Sequence, residues 1–322
     1  MLGRLTACIA LATLLATPAA SAQDWPTRPV RIVNTFAAGG TADVLARTVA
    51  EHLSSAFGQQ FFVETRPGAG GSIGVQSIVN SSPDGYNFVI TNVSLLVLQP
   101  LTNAKIGYDP DRDLTNIAYI AGAPVVLSVN AASGAKRLQD FIAAGKNGAK
   151  PLTYSSSGLG SMGHLLTELF AQKAGLKVEH VPYKGAAQSL MDLVGGHIDF
   201  SCQTVSSTAA QLRSGALRGL ATTSNERLPD YPDLPTFTEL GFPDLVSTTW
   251  FSLSGPAGLP DEIVRRVNRE VVRAMSKPEA QRRLQQDGLV TEPLNPEEFR
   301  SLIAAETVRW KPVAERAGLM QR

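Results

Sequence analysis

Residues 30–36 read VRIVNTF, a short apolar run that fits a buried strand. From Thr41 to Phe57 the spacing changes. Val44, Leu45, Val49 and Leu53 recur at helical intervals, and Gly58 supplies a stop. The rhythm then repeats, with Phe61–Glu64 as a strand, Ser72–Val79 as a short helix, Pro83-Asp84-Gly85 as a turn and Tyr86–Thr91 as a strand. Positions 115–130 read as strands with no clear helix between them. Beyond them, strands at Leu152–Ser155, Val178–Pro182, Ile198–Ser201 and Leu217–Thr222 alternate with helices at Gly163–Ala174, Ala187–Val194 and Ser207–Ser214. Repeated strand–helix units predict an α/β fold, with largely parallel sheets flanked by helices.

Residues 224–248 carry four prolines and little periodicity, which predicts a long surface connection. Trp250–Ser254 is a further strand. Pro260–Lys277 is a strongly amphipathic helix, with Val264, Val267, Val271 and Met275 inward and Arg265, Arg266, Arg269 and Arg273 on a solvated face. Pro296–Ala317 is the last helix, and Pro312 is expected to kink it. The segment after residue 249 lacks a full set of strands, so it is expected to return to the first block. The expected division is 23–124 with 250–322 as one lobe and 125–249 as the other. A chain crossing twice between lobes leaves a cleft suited to closing on a ligand.

Composition narrows the function. The 322 residues are 43% apolar and 18% charged, with 29 Lys and Arg against 28 Asp and Glu. This balance excludes a disordered chain and offers no electrostatic basis for nucleic-acid binding. The first 22 residues, MLGRLTACIALATLLATPAASA, have a basic start, an apolar centre and a small-x-small end. They read as a signal peptide cleaved after Ala22, which predicts a periplasmic protein. The apolar centre follows Cys8 instead of preceding it, which argues against a lipid anchor. Cleavage would leave Cys202 as a lone cysteine, expected to be a buried small hydrophobe. Trp25, Trp250 and Trp310 are expected in the core.

Two glycine-rich turns follow predicted strands. The first is Phe36-Ala37-Ala38-Gly39-Gly40-Thr41-Ala42-Asp43. Its glycines allow close backbone approach, and the next helix presents N–H groups that favour an anion. It also fits a tight turn with no ligand. The second is Ser155-Ser156-Ser157-Gly158-Leu159-Gly160-Ser161-Met162-Gly163-His164. Gly158, Gly160 and Gly163 satisfy the dinucleotide spacing, and Glu179 lies about 20 residues on. Export argues against a soluble nicotinamide cofactor, and the serines suit a carboxylate. The same stretch lacks the first glycine of a nucleophile elbow, and His164 is too near Ser161 to serve readily as its base. No metal-binding motif is present, so neither a metal nor a cofactor is expected. Lys184 could add positive charge to an anion pocket or simply lie on the surface, and Asp199 could cap a helix or touch a ligand.

These segments resemble the extracytoplasmic solute receptors of the tripartite tricarboxylate transporter family, also called Bug proteins. The resemblance rests on WPTRPVRIVNTFAAGGTADVLAR, ETRPGAGGSIG, SPDGYNFVITN, YSSSGLGSMGHL, VPYKGAAQSLMDLVGGHIDF, LRGLATTSNERLPDYPDLPTFTELG and FSLSGPAGLPDEIVRRVN, in order along the mature chain. It implies a two-lobed, Venus-flytrap receptor that captures a small carboxylate and passes it to membrane subunits. Phe36–Thr41 would hold one carboxylate, partly through ordered waters, and Thr91 and Asn92 would line the first lobe. Ser155, Ser156, Gly158, Ser161 and His164 would contribute from the second lobe, with Lys184, Gly185 and Ala186 on its next loop and Asp199 nearby. Two departures stand out. Ala38 replaces a proline common in the first loop, and Gln203 stands where many members carry an Asp that can meet an amino group. An amide there suits a hydroxyl, a carbonyl or a second carboxylate. A monomer is expected. An exported hydrolase or NAD-dependent enzyme, or a receptor that signals through a partner, are the competing readings.

Overall fold

The computed structural model describes residues 25–286, 288–316 and 318–320. The segment read as a signal peptide, with its expected cleavage site, lies outside the described residues. In chain order the elements are β1 (Val30–Asn34), α1 (Thr41–Phe57), β2 (Phe61–Thr65), α2 (Ser72–Val79), β3 (Asn87–Asn92), α3 (Gln99–Thr102), α4 (Pro110–Asp113) and β4 (Leu114–Asn130). Then follow α5 (Leu138–Asn147), β5 (Leu152–Ser156), α6 (Met162–Ala174), β6 (Val178–Pro182), α7 (Ala186–Val194), β7 (Phe200–Thr204), α8 (Val205–Arg213) and β8 (Leu217–Thr222). β9 (Thr248–Pro256), α9 (Asp261–Met275), α10 (Pro278–Gln286) and α11 (Pro296–Arg316) complete the chain.

The strands join in the order β2-β1-β3-β9-β4-β7-β5-β6, and β8 also pairs with β4. β1, β2 and β3 are parallel, as are β5, β6 and β7. β4 belongs to both halves. Residues 114–124 run antiparallel to β9, and residues 125–130 run antiparallel to β7 and β8. The sequence pattern predicts several strands here, and the structure has one. Almost every β4 residue is buried, so no solvent-facing turn interrupts it. Pro124, which has no N–H to donate, falls where the partners change.

The chain crosses between the halves at Pro124–Val125 and again between β8 and β9. Thr223 ties the crossings together. Its N–H donates to the Val125 carbonyl at 2.9 Å, its hydroxyl accepts from the Val125 N–H at 2.8 Å, and that hydroxyl donates to the Ser247 carbonyl at 2.7 Å. The proline-rich connection is not simply a surface loop. Leu234, Thr236, Phe237 and Leu245 are buried, and Phe237 packs on Phe170 and Phe242. α5, which the sequence pattern does not announce, buries Leu138 and Phe141 and packs Ile142 against the core. Trp25, Trp250, Trp310 and Cys202 are all in the core.

Candidate functional site

A small cavity of about 40 Å³ lies where the two halves of the sheet meet. Phe36, Gly40, Thr41 and Ala42 line it from the turn after β1 and the start of α1, with Asn92 at the end of β3 and Ser94 just beyond. Opposite stand Ser157, Met162 and Gly163 at the start of α6, then Ala186 at the start of α7. Cys202, Gln203, Thr204 and Ser207 come from the end of β7 and the first turn of α8. Val125, Thr249 and Phe251, on the strands near the crossings, complete the lining.

Four described helices, α1, α6, α7 and α8, therefore begin at this wall. The first N–H groups of a helix have no partner within it, and its dipole is positive at that end. Among the described residues no charged side chain lines the cavity. An anion held here would be met by N–H groups and hydroxyls, not by a counter-ion.

The first turn is fixed from inside. Asn34 accepts from the Phe36 N–H at 3.3 Å and donates to Asp43 at 3.4 Å. The Asp43 carboxylate also accepts from the Gly39 N–H at 3.2 Å and from Arg47 Nε at 3.1 Å. Gly39 needs its glycine, because its φ is +86°.

The second turn rests on aromatic rings. Tyr154, His180 and His164 form a stack with centroid spacings of 4.7 and 4.3 Å. His164 Nδ1 accepts from the Gly160 N–H at 3.1 Å, and His180 Nε2 lies 2.7 Å from the Ser156 hydroxyl. Burial holds both imidazoles below the usual histidine range, His180 to about 3, with the neighbouring His164 adding to the effect there. Ser161 caps α6 by accepting from the His164 N–H at 3.3 Å. A side chain at Gly163 would put its Cβ 2.1 Å from the Cys202 carbonyl oxygen, so the start of α6 packs directly on β7.

The two sides touch. The Ala37 N–H donates to the Lys184 carbonyl and the Met162 N–H to the Ser94 hydroxyl, both at 3.0 Å. Gln99 Nε2 reaches the Gly70 carbonyl at 2.8 Å and the Leu159 carbonyl at 3.3 Å. The Thr41 hydroxyl sits 2.6–2.9 Å from those of Thr204, Ser206 and Ser207.

Residues 45–319 match the model of the tripartite tricarboxylate transporter family receptor. The chain belongs to this family. Protein BugT of Bordetella pertussis is 32% identical over 299 residues, 92% of each chain. An R. palustris protein solved with adipate is 35% identical and superposes with a TM-score of 0.88, over 91% of this chain and 98% of that one. MatC of Rhodopseudomonas palustris, solved with malate, is 28% identical with a TM-score of 0.86, over 90% and 99%. These family receptors are periplasmic solute-binding proteins, and their two-lobed α/β fold is the one seen here.

Set against the residues carried over from this receptor family, the cavity is selective. Phe36, Gly40, Thr41, Asn92, Ala186 and Gln203 line it. Ala37, Ala38 and Gly39 belong to the same turn but not to the lining, and Gly185 packs on Ala37. Asp43 is spent on the turn itself. Thr91 is bonded within the sheet to Ser252 and Ser254, at 2.8 Å each. Ser155 takes part in a buried chain in which Gln203 Nε2 donates to Ser189 at 3.0 Å and Ser189 donates to Ser155 at 2.8 Å. Ser156, Ser161 and His164 shape the second turn from behind.

Three expectations need correction. Lys184 contributes its main-chain carbonyl to the contact between the halves, while its side chain is exposed and away from the lining. Asp199 is exposed and accepts from the Thr153 N–H and hydroxyl at 2.7 and 2.8 Å, at the far end of β5 from the cavity. β7 begins at Phe200 and not at Ile198, so Asp199 precedes the strand. Gly158, expected to touch the ligand, lies against Gly70 of the other half and is not in the lining.

Ser94, Val125, Cys202, Thr249 and Phe251 were not anticipated as lining. No motif marks them, because they sit in or beside buried strands. Thr204 and Ser207 carry a readable signal, a hydroxyl residue capping the start of a helix. Among the described residues, no group of three or more His, Cys, Asp or Glu is placed to hold a metal, and no helix is long and apolar enough to cross a membrane.

Proposed function

We propose that the protein is a periplasmic receptor that captures a small mono- or dicarboxylate in the cleft between its lobes and delivers it to the membrane subunits of a tripartite tricarboxylate transporter. The lobes are 23–124 with 250–322, and 125–249. Residues 1–22 direct export. The observation that carries this reading is the convergence of four helix N-termini on one cavity without a charged side chain. N–H groups and hydroxyls replace the hydration of a carboxylate, and closure excludes water. The adipate and malate bound by relatives support the ligand class. The lining offers no carboxylate to an ammonium group, and Gln203 replaces the Asp that would supply one, so amino acids are disfavoured. Ser161 is not set up as a nucleophile, because it caps a helix and the ring of His164 is engaged with Gly160.

A micromolar ligand needs roughly −8 kcal/mol, within reach of a few charge-assisted bonds in a closed cleft. The test is thermal denaturation of the mature protein, refolded to remove any co-purified ligand. The panel comprises four- to six-carbon acids, with amino acids, nicotinamide dinucleotides and esters for contrast. A carboxylate at about 100 times its Kd should add roughly 2.7 kcal/mol and raise Tm by about 4 °C, and be recovered unchanged. A shift with dinucleotides alone, or consumption of the ligand, would sink the receptor reading.

A further inference from the structure

We propose that Thr249 reads a second oxygen function on the ligand, so that this receptor prefers carboxylates bearing a hydroxyl, carbonyl or further carboxyl group over plain alkanoates of the same length. The proposal rests on the carboxylate-receptor reading.

Thr249 is 6% exposed and lines the cavity. Its hydroxyl has no hydrogen-bond partner in the protein. Among the described residues with a buried, unpartnered side-chain polar atom, Thr249 alone lines this cavity. Nearby buried hydroxyls are treated differently. Thr91 is paired with two serines, and Thr223 bonds to Val125 and Ser247. A buried hydroxyl left bare weakens a fold, so one retained at a ligand wall is explained by a partner that arrives with the ligand.

The position fits this role. Thr249 lies on β9 opposite Ala123, beside the crossing between the lobes. The carboxylate-binding helix ends are at the wall, while Val125 and Phe251 beside Thr249 are apolar. A ligand anchored by one carboxylate at the helix ends would present its remaining atoms to this side. A hydroxyl both donates and accepts, so it can meet an alcohol, a carbonyl or a carboxylate oxygen. A methylene there would leave it unsatisfied, which penalises the plain acid more than any missing contact would suggest.

The experiment is calorimetric titration of wild-type protein, Thr249→Val and Thr249→Ser with matched acids: butyrate, 2-hydroxybutyrate, 2-oxobutyrate and succinate, and the six-carbon pair hexanoate and adipate. Wild type should favour an oxygen-bearing acid over its plain counterpart by about tenfold or more. Thr249→Val should lose most of that preference, with the plain acid bound equally or more tightly, and Thr249→Ser should restore it. The Tm of unliganded Thr249→Val should match or exceed that of wild type. Unchanged affinities in Thr249→Val, as expected if a water satisfies the hydroxyl, would overturn the proposal. So would equal losses for every acid, a wild-type preference for plain acids, or a lowered unliganded Tm in Thr249→Val. These failures leave the receptor reading standing. If no carboxylate binds wild type, that reading fails and this one falls with it.

Discussion

Two glycine-rich turns face each other across the cavity, Phe36–Ala42 and Ser157–Gly163, and different chemistry holds each. Behind the first is Asp43, which gathers the Gly39 N–H, Asn34 and Arg47. Behind the second is a stack of neutral rings, in which His164 accepts from the Gly160 N–H and His180 meets Ser156. In both cases the ionisable groups shape the turn and stay out of the lining. The wall offered to an anion is made of neutral groups, and the charge is kept one layer behind it. The two turns should therefore fail in different ways.

The largest expected effect is on the first turn. Asp43→Ala removes one acceptor from several donors at once and leaves Asn34 and the Gly39 N–H without it. A loss of about 3 kcal/mol in unfolding free energy is expected, together with weaker ligand binding. Ser161→Ala takes a single cap from the second turn and should cost about 1 kcal/mol. Urea titration of both variants compares them directly. Equal losses would mean that the carboxylate does no more for its turn than an ordinary cap.

Next in size is a change that separates closure from folding. Gly70 has a φ of +64°, and a Cβ there would lie 2.3 Å from the Leu159 carbonyl oxygen of the second turn. That clash exists only while the lobes are together, whereas the backbone strain, about 1–2 kcal/mol, and a 2.5 Å approach to Gln99 Nε2 in the same lobe are present in any state. Gly70→Ala should weaken carboxylate binding by roughly 10- to 100-fold while lowering the stability of the unliganded protein only by the strain and the shift of the Gln99 side chain. Titration calorimetry beside thermal denaturation reads the two apart. Wild-type affinity in this variant would show that binding does not need the contact at Leu159.

Much of this arrangement was legible in the sequence, for a physical reason. Helix periodicity and glycine stops placed α1 at Thr41–Phe57 and α2 at Ser72–Val79 with the observed limits. Glycines after predicted strands marked both turns, and the family resemblance gave them a ligand. The base of the cavity was not legible. Val125, Thr249 and Phe251 belong to strands buried on both faces, where no alternation shows which way a side chain points. Asp199 misled because it stands just before β7, at its N-terminal end, whereas Cys202, Gln203 and Thr204 at the other end line the cavity. Thr91 is taken up by Ser252 and Ser254, 161 and 163 residues away, and contacts that distant in sequence leave no local trace. Asp43 is taken up by nearby Asn34, Gly39 and Arg47, a local pattern that reads equally as a turn with or without a ligand.

A change of pH tests the chemical contrast itself. His180 is held near 3 in the folded protein, against about 6.5 for an ordinary histidine, and burial lowers His164 as well. Between these values the unfolded chain takes up protons that the folded stack refuses. Stability from the stack is thus complete above about pH 6.5 and declines as pH falls toward 3. Carboxylates act lower. Asp113, held down to about 2 by Arg112, loses its contribution only below its ordinary value of 3.8. Acidification from pH 7 to 4 should therefore lower Tm chiefly through the second turn. His180→Gln, which keeps a polar group for Ser156 but does not titrate, should flatten that decline. Tm measured at pH 7, 6, 5 and 4 on both proteins decides the point. Parallel curves would remove the histidines from the account and leave the two turns alike in acid.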